Sequence, residues 1–231
     1  MPDNYKQIIN SFLNDINLYP EKNKKKKKFL QCMMNLDKHH YKFCDDYKKI
    51  LKASKFQINI KKNIEEEFYL PVNLFKKFQL ISIKKKKIAN KLQSSGTTGN
   101  ASRIFLDVES SIINNRILQK LLKNNLENFN VPIIFFDHVP ENLDKKFDAR
   151  KAAIKGFSII SNEKYFVMKK NGTLDLNKLN KILKSLNGGK AYIFGFTSIL
   201  WSLFNENLED IRGDLSNITV IHGGGWKKMQ S

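Results

Sequence analysis

Residues 131–136 read V-P-I-I-F-F, and this apolar run decides the fold predicted for the second half of the chain. The run ends at Asp137, and a short apolar run bounded in this way is typical of a strand buried on both faces of a sheet. Ala191 to Phe196 (A-Y-I-F-G-F) form a second strand of this kind. Tyr165 to Met168 and Asn217 to Ile221 are two further predicted strands. Because the strands of parallel sheets are buried on both faces, this pattern favours a mostly parallel sheet.

Helical patterns separate these strands. Isoleucine and leucine recur at three- and four-residue spacing from Glu109 to Asn128, which indicates an amphipathic helix. Asp148 to Phe157 and Asp175 to Leu186 are also predicted to be helical, and Asn187-Gly188-Gly189 is typical of a helix C-cap. Strands that alternate with helices predict an α/β fold with a mostly parallel sheet.

The first part of the chain has a different pattern. Apolar residues at helical spacing predict a helical N-terminal region over residues 1–66, including one long helical stretch from Lys27 to Lys52. Phe68 to Phe75 contains a proline and is predicted to be extended, whereas Leu80 to Ile83 is predicted to be a short strand. Residues 67–231 then form the α/β part of the protein.

The hexapeptide S-S-G-T-T-G, Ser94 to Gly99, precedes the predicted strand Arg103 to Leu106. Glycine lets a backbone turn tightly and approach a ligand closely. Hydroxyl groups and main-chain N–H groups in such a turn form a concave site for anions, for which a polyphosphate is the natural ligand. A polar hairpin turn between two strands is the alternative, and these residues alone leave both interpretations open.

Two predicted strands end in distinctive loops, F-G-F-T at Phe194 to Thr197 and H-G-G-G-W-K at His222 to Lys227. Ligands of open α/β sheets bind beyond the carboxyl ends of the strands. If the two strands run in the same direction in one sheet, the loops lie on the same edge and can form a joint site. Thr197 is also predicted to cap the helix that contains Trp201 to Phe204.

The formal charge of the chain is +19, from 41 basic and 22 acidic residues. The arginines are Arg103, Arg116, Arg150 and Arg212, and all other basic residues in that count are lysines. Arginine is the residue that makes bidentate contacts with bases and phosphates. The lysines are spread along the chain, which indicates a compositional bias, and we expect no nucleic-acid function. Binding to an anionic surface through lysine runs is the alternative.

No stretch approaches the roughly 20 apolar residues of a membrane span, and the first residues lack the layout of a signal peptide. We therefore expect a cytoplasmic protein without a membrane span. Cys32 and Cys44 form no C-x-x-C pair, and the histidines do not stand at the spacing of metal ligands. The sequence thus predicts neither a disulfide framework nor a metal centre in this part of the protein.

Taken together, these segments resemble the adenylate-forming enzymes. Ser94 to Gly99 looks like the phosphate-binding loop of acyl-CoA synthetases and phenylacetate-CoA ligases. His222 to Lys227 is similar to a segment of acyl-protein synthetases, the fatty-acid-activating subunit of the bacterial luciferase-associated fatty acid reductase. The resemblance extends from about residue 68 to the end of the chain. Further matching segments are Phe68–Phe75, Ser102–Asp107, Asp148–Arg150 and Phe194–Thr197.

The resemblance implies an ATP-dependent ligase that joins a carboxylic acid, expected to be a long-chain fatty acid, to a protein thiol. The acid attacks the α-phosphate of ATP, which is bound with Mg²⁺, and this gives an acyl adenylate and pyrophosphate. The acyl group then passes to a thiol and on to a partner acyl reductase. Residues 67–231 form the nucleotide-binding part of an incomplete adenylate-forming domain in this interpretation.

The resemblance also implies roles for particular residues. The β- and γ-phosphates are bound by Ser94, Ser95, Gly96, Thr97, Thr98 and Gly99. The adenine lies against Gly223, Gly224 and Gly225, where missing side chains leave room for a flat ring. The acyl pocket is bordered by Phe194, Phe196 and Thr197. Further candidates are Arg103, His222, Trp226 and Lys227, and for His222 and Trp226 structural packing is the alternative.

Two features depart from the family pattern. Many acyl-CoA synthetases follow the loop with Pro-Lys-Gly, whereas this chain has Asn100-Ala101-Ser102-Arg103, so either Arg103 supplies the positive charge or no residue does. The catalytic lysine of the family, the glutamate that holds Mg²⁺ and the acyl-accepting cysteine are expected beyond Ser231. The chain is therefore interpreted as an N-terminal fragment with weak or no turnover.

Two other functions stay open at this point. One is a nucleotide-binding but non-catalytic fragment or paralogue. The other is an acyl-activating ligase that acts on a different acid, in a polysaccharide or secondary-metabolite pathway.

Overall fold

The computed structural model describes residues 10, 22–93, 101–127, 129–140 and 149–226 of the chain. By its contacts the chain divides into two compact units. Unit 1 comprises residues 1–121 and 146–149, and unit 2 comprises residues 122–145 and 150–231. The predicted phosphate-binding residues Ser94–Gly99, together with Lys227, lie outside the described residues. The domain boundary predicted at residues 66–67 stays a prediction.

Unit 1 consists of helices followed by a pair of strands. Its elements are α1 (Lys22–Phe43), α2 (Asp45–Ala53), α3 (Leu74–Lys77), β1 (Ile88–Gln93), β2 (Arg103–Asp107) and the larger part of α4 (Val108–Asn125). Short 3-10 turns lie at Ile64–Glu66 and Lys85–Lys87. A helical N-terminal segment is confirmed for residues 22–53, although residues 54–63 form no helix and the stretch from Lys27 to Lys52 is two helices that are interrupted at Cys44.

The strand predicted at Leu80–Ile83 is wrong. These residues form no regular element, and Leu80 packs against the buried cluster around Leu51. The strand lies instead at β1, whose side chains alternate between half-buried and exposed. One of its half-buried positions is the polar Asn90, which hides the apolar alternation that identifies strands in a sequence.

β1 and β2 pair in an antiparallel ladder, in which Gln93 lies opposite Arg103 and Leu92 opposite Ile104. Residues 94–102 therefore connect two paired strands. The alternative interpretation of Ser94–Gly99, a polar hairpin turn between two strands, concerns residues outside the described part of the chain and stays a prediction. The phosphate-binding role of the loop stays a prediction, because a connection of this kind can also bind an anion.

A small core joins α1 to α2. Its buried members are Cys44, Tyr47 and Leu51, and the Tyr47 hydroxyl donates a hydrogen bond to Oδ1 of Asp37 over 2.6 Å. Burial raises the pKa of Asp37, although this hydrogen bond lowers it in part. Glu67 is also buried, and its Oε1 makes no hydrogen bond within the described part of the chain.

Glu67→Gln is expected to stabilise the protein at high pH and to leave it unchanged at low pH. Burial raises the pKa of Glu67, and the negative charge of Asp37 raises it further. A carboxyl group with a raised folded-state pKa contributes stability below its unfolded pKa, and this contribution is lost as the pH rises through the folded pKa. Removing a buried carboxylate with one oxygen that makes no hydrogen bond should therefore raise the free energy of unfolding by about 1 kcal/mol at about pH 8, with little change at about pH 4.

Urea unfolding of both proteins at the two pH values measures this difference. Glu65→Gln is the matched control, because this substitution removes the same formal charge from an exposed position two residues away. A loss of stability in Glu67→Gln at the higher pH would show that the carboxylate makes a stabilising contact, and would contradict the prediction.

Unit 2 is an α/β sheet. Its elements are β3 (Ile133–Phe135), α5 (Ala149–Phe157), β4 (Lys164–Phe166), α6 (Leu176–Leu186), β5 (Ala191–Phe196), α7 (Thr197–Asn207) and β6 (Ile218–Gly223), with a short 3-10 turn at Leu208–Asp210. The strand order is β4-β3-β5-β6, and every neighbouring pair is parallel. The predicted α/β fold with a parallel sheet is confirmed.

The sheet buries a different set of side chains on each face. Ile134, Phe136 and Ile193 belong to a core with leucines of α6 and α7. On the other face, the ring of Phe135 stacks on Phe166 at a centroid distance of 4.9 Å, and Phe194 stacks on Phe157 of α5 at 4.3 Å. This alternation is the two-residue period of a strand, and it explains why the apolar runs of the sequence are continuous.

The C-cap of α6 follows the sequence prediction, and the structure adds an N-cap at Asp175. The Asp175 side chain accepts a hydrogen bond from the backbone N–H of Lys178 over 3.1 Å. Asn187 ends the helix in the left-handed conformation, with a φ of 47°. Asparagine and glycine tolerate this conformation better than other residues do, which confirms the predicted C-cap.

Candidate functional site at the carboxyl edge of the sheet

The topology of unit 2 puts a switch point, where a crevice is expected, at the carboxyl ends of β3 and β5. The connection that leaves β3 leads to β4 on one side, whereas the connection that leaves β5 leads to β6 on the other side. Connections that leave neighbouring parallel strands in opposite directions open a crevice between the strand ends, and this is where open α/β sheets bind ligands. The crevice is therefore the candidate functional site.

The two loops singled out in the sequence lie on this edge. In the register of β5 and β6, Gly195 pairs with His222 and Phe196 pairs with Gly223. The condition for a joint site, two strands that run in the same direction in one sheet, is thus confirmed for Phe194–Thr197 and the described residues of His222–Trp226.

Thr197 links the two loops, and its predicted role as a helix cap is wrong. The side chain makes no capping hydrogen bond, and the N-cap position of α7 belongs to Phe196. The Thr197 hydroxyl lies instead 2.9 Å from the carbonyl oxygen of Gly224 and 3.1 Å from that of Gly223. These partners come from the end of β6, which sequence reasoning cannot place beside Thr197.

The same hydroxyl favours one tautomer of His222. Oγ1 of Thr197 lies 3.0 Å from Nδ1 of His222. A hydroxyl has one hydrogen to donate, and the two glycine carbonyls can only accept. When the hydroxyl donates to them, Nδ1 of His222 must carry a proton and donate to Oγ1. A neutral His222 then presents its Nε2 as an acceptor.

The glycines of the second loop differ in their surroundings. Gly224 has a φ of +87°, and a Cβ there would approach the ring of Phe196 to 3.2 Å. A Cβ at Gly223 would meet no atom within 4 Å. Gly225 is exposed. The open backbone of Gly223 is compatible with a flat ligand ring, and the adenine-binding role of the three glycines stays a prediction.

The aromatic residues of the loops divide into buried and exposed ones. Phe194 is 3% exposed and belongs to the aromatic face of the sheet, whereas Phe196 is half-buried at the edge. Trp226 meets Trp201 of α7 in an edge-to-face contact with a centroid distance of 5.5 Å. The packing alternative for Trp226 thus has a partner, and the acyl-pocket role of Phe194, Phe196 and Thr197 stays a prediction.

The sequence pattern did not predict the cluster of polar residues at the end of β3. Asp137 is 3% exposed, and its Oδ2 accepts a hydrogen bond from Nε of Arg150 over 2.5 Å. Its Oδ1 accepts from the backbone N–H of His138 over 2.8 Å, and Nδ1 of His138 lies 3.3 Å away. The position of Asp137 directly after a buried apolar run was the available signal.

Of the predicted site residues that the structure describes, Arg103 belongs to unit 1. Arg103 is half-buried in β2, opposite Gln93. Its role as a positive charge beside phosphates stays a prediction. At the end of β2, Asp107 accepts a hydrogen bond from the backbone N–H of Ser110 over 2.8 Å at the start of α4. Burial alone would raise the pKa of Asp107, but its hydrogen bonds from Ser110 lower it.

A cavity of about 750 Å³ lies elsewhere in unit 2, between α6 and residues 212–214. Its lining includes Lys184, Asn187 and Arg212. Asn187 precedes β5, so this cavity lies toward the amino ends of the strands. We place the candidate site at the carboxyl edge because the topology, and not cavity volume, locates ligands in parallel sheets.

Two properties hold for all residues that the structure describes. Among its residues, no three histidine, cysteine, aspartate or glutamate side chains are grouped so as to hold a metal ion. None of its helices is both long and apolar enough to span a bilayer.

Fold and site define an α/β protein with a candidate ligand-binding site at the carboxyl edge of a parallel sheet. The model of the family described as "Acyl-protein synthetase, LuxE" matches residues 7–231, and the chain belongs to this family. Membership confirms the resemblance to acyl-protein synthetases and implies a ligase that activates a fatty acid and transfers the acyl group. A search among curated proteins found no match.

Proposed function

We propose that this protein is an AMP-forming, ATP-dependent ligase that activates a long-chain fatty acid and transfers it to a protein thiol. The observation that carries the proposal is the family match over residues 7–231. The site at the carboxyl edge of unit 2 supports it, because this is where an α/β sheet binds its ligands.

The proposed reaction has two steps. An oxygen of the fatty carboxylate attacks the α-phosphorus of ATP, and the bond between this phosphorus and the bridging oxygen breaks, which releases pyrophosphate and leaves an acyl adenylate. A thiolate then attacks the acyl carbonyl, and AMP leaves. Such phosphoryl chemistry depends on the positioning of the reactants and on donors for the developing charge.

The proposal gives roles to Ser94–Gly99 and to the glycines of the loop that follows β6. The hydroxyl and backbone groups of Ser94–Gly99 bind phosphate oxygens, and the backbone of Gly223–Gly225 lies against the adenine. Thr197 holds the second loop through its hydrogen bonds to Gly223 and Gly224. Within the described residues, no metal-holding group is present, so the proposal assigns no Mg²⁺ ligand there and derives no step through the ion.

The proposal also includes the place and the partners of the reaction. We place it in the cytoplasm, which supplies ATP and keeps thiols reduced. The acyl group would go to a thiol and then to an acyl reductase. Cys32 and Cys44 are buried, and burial raises the pKa of Cys32 to about 11. Neither thiol is therefore assigned as the acceptor, since the thiolate is the nucleophile.

Fatty-acid-dependent exchange of pyrophosphate into ATP tests the first step. In a protein that carries the family's catalytic lysine, dodecanoate should drive this exchange, and Thr97→Val should lower it about 100-fold, the order of effect of losing one donor to the reacting phosphate. Gly99→Val should also lower it, because a side chain there hinders the close approach of the backbone to a phosphate. Thr219→Val is the matched control, because Thr219 is an exposed position of β6, paired with Tyr192 away from the carboxyl edge.

Three results would count against the proposal. Exchange that does not depend on the acid would contradict the ligase activity. Equal exchange in Thr97→Val, Gly99→Val and the parent protein would contradict the role of the loop. ATP binding without any exchange would favour the non-catalytic, nucleotide-binding alternative.

A further inference from the structure

Arg150 is held at the carboxyl edge of the sheet by a buried carboxylate. Its Nε donates to Oδ2 of Asp137 over 2.5 Å, and Asp137 directly follows Phe136, the residue after the last strand position of β3. A buried carboxylate is costly unless it is paired and hydrogen-bonded. The pairing therefore fixes the guanidinium of Arg150 beside the crevice between β3 and β5.

The contacts of Asp137 make it an anchor. One carboxylate oxygen accepts from Arg150, and the other accepts from the backbone N–H of His138 over 2.8 Å. The bond to Asp137 uses one of the five N–H donors of the Arg150 guanidinium. The Arg150 side chain is 35% exposed, which leaves room for a ligand beside it. The planar fork of a guanidinium matches the two oxygens of a carboxylate or a phosphate.

The neighbouring strand adds an apolar surface on the same side. The backbone N–H of Phe136 donates to the carbonyl of Phe194 over 2.9 Å, so Asp137 and Phe196 continue neighbouring strands at a similar level. Phe135 and Phe194 share the aromatic face of the sheet, with ring centroids 5.8 Å apart. Strand alternation places Asp137 and Phe196 on this face as well. The half-buried ring of Phe196 thus belongs to the same face and the same level of the sheet as the charged group.

We propose that Arg150, oriented by Asp137, forms an oxyanion-binding site at the switch point of the sheet, with Phe196 as its apolar wall. The oxyanion is the carboxylate of the fatty acid or a phosphate of ATP, and this assignment of the ligand rests on the proposed function. A carboxylate with an apolar chain fits both the guanidinium and the phenyl ring. Asp137 is a positioning residue, since it acts through Arg150.

The test compares the binding of separate ligands to the full chain by isothermal titration calorimetry. The ligands are dodecanoate, ATP and the uncharged dodecan-1-ol, and the variants are Arg150→Gln, Arg150→Lys and Asp137→Asn. Losing a charge-assisted, bidentate contact should weaken binding of the oxyanion about 10- to 100-fold. Arg150→Lys keeps the charge without the fork and should show a smaller loss, as should Asp137→Asn. Dodecan-1-ol should bind all proteins equally.

Arg212→Gln is the matched control, because it removes an exposed arginine of the same unit that lies beside the 750 Å³ cavity. Circular dichroism and urea unfolding follow the folding of each variant. A selective loss of dodecanoate affinity in Arg150→Gln identifies the carboxylate as the ligand, and a selective loss of ATP affinity identifies a phosphate. If a folded Arg150→Gln variant binds dodecanoate and ATP as tightly as the parent protein does, the proposal is overturned and the ion pair is purely structural.

The experiment separates this proposal from the proposed function. If dodecanoate binding depends on Arg150 but the parent protein shows no pyrophosphate exchange, the ligase activity fails and the oxyanion site stands. If exchange occurs and is unaffected by Arg150→Gln, the ligase activity stands and the oxyanion site fails. A parent protein that binds neither dodecanoate nor ATP would overturn the oxyanion site.

Discussion

In the Thr197→Val variant, dodecanoate-dependent pyrophosphate exchange is expected to fall about tenfold, because the half-buried and exposed partners of Thr197 lose hydrogen bonds that are each worth about 0.5 to 1.5 kcal/mol. The Thr197 hydroxyl reaches Nδ1 of His222 and the carbonyls of Gly223 and Gly224 within 3.1 Å. Valine has nearly the same shape as threonine, so the change removes the hydroxyl and leaves these three groups without it. The loop would then lose the contact that fixes it to the start of α7.

Thr197→Ser is the control for this prediction, because serine keeps the hydroxyl and loses a methyl group. We expect it to retain most of the exchange activity. Urea unfolding shows whether the loss in Thr197→Val is local to the loop or extends to the fold. Parent-like exchange in Thr197→Val would mean that the hydrogen bonds of Thr197 do not position groups that take part in the reaction.

Alanine at two glycines of the neighbouring strands β5 and β6 is expected to have different effects on stability. A Cβ at Gly195 would lie 2.7 Å from Cγ of Leu200, a side chain of the buried core. Gly195→Ala should therefore lower the free energy of unfolding by about 1 to 3 kcal/mol, the usual cost of overpacking a core. A Cβ at Gly223 meets nothing within 4 Å, so Gly223→Ala should change stability by less than about 0.5 kcal/mol.

The KM for ATP should change in the opposite variant, Gly223→Ala, and not in Gly195→Ala. If the adenine lies against the backbone of Gly223, a methyl group there should raise the KM for ATP about tenfold at nearly constant stability, a loss of about 1.4 kcal/mol in binding. Gly195→Ala, once folded, should keep the KM for ATP close to that of the parent protein. A Gly223→Ala protein with unchanged KM would remove adenine binding from this position.

The strands of unit 2 were predictable because their burial is recorded in their own residues. Ala191–Phe196 was predicted with the bounds that the structure shows, since nearly all its side chains are buried and its apolar run is uninterrupted. β1 was not predictable, because Asn90 occupies a half-buried position and donates a hydrogen bond to Ser111 of α4 over 2.8 Å. A strand that is held by its pairing and by one polar contact leaves little apolar pattern in the sequence.

The candidate site was predictable only in part. The glycine-rich loop and the loop at Phe194–Thr197 were identified from their composition, and the parallel sheet brings them to one edge. Asp137 and Arg150 were visible as single residues, but their ion pair was not, because it depends on how α5 packs on the sheet. Thr197 was assigned to the wrong partner, because the local preference of threonine for helix caps was outweighed by acceptors from β6.

The sequence by itself determined the alternation of apolar strands and amphipathic helices, and hence an α/β fold with a parallel sheet, together with the family resemblance of its loops. These features are local, because each depends on residues close together in the chain. Only the tertiary structure decided the order β4-β3-β5-β6, and with it the crevice between β3 and β5. The order of strands depends on the free energy of packing between distant segments, and no local pattern records which strand lies next to which.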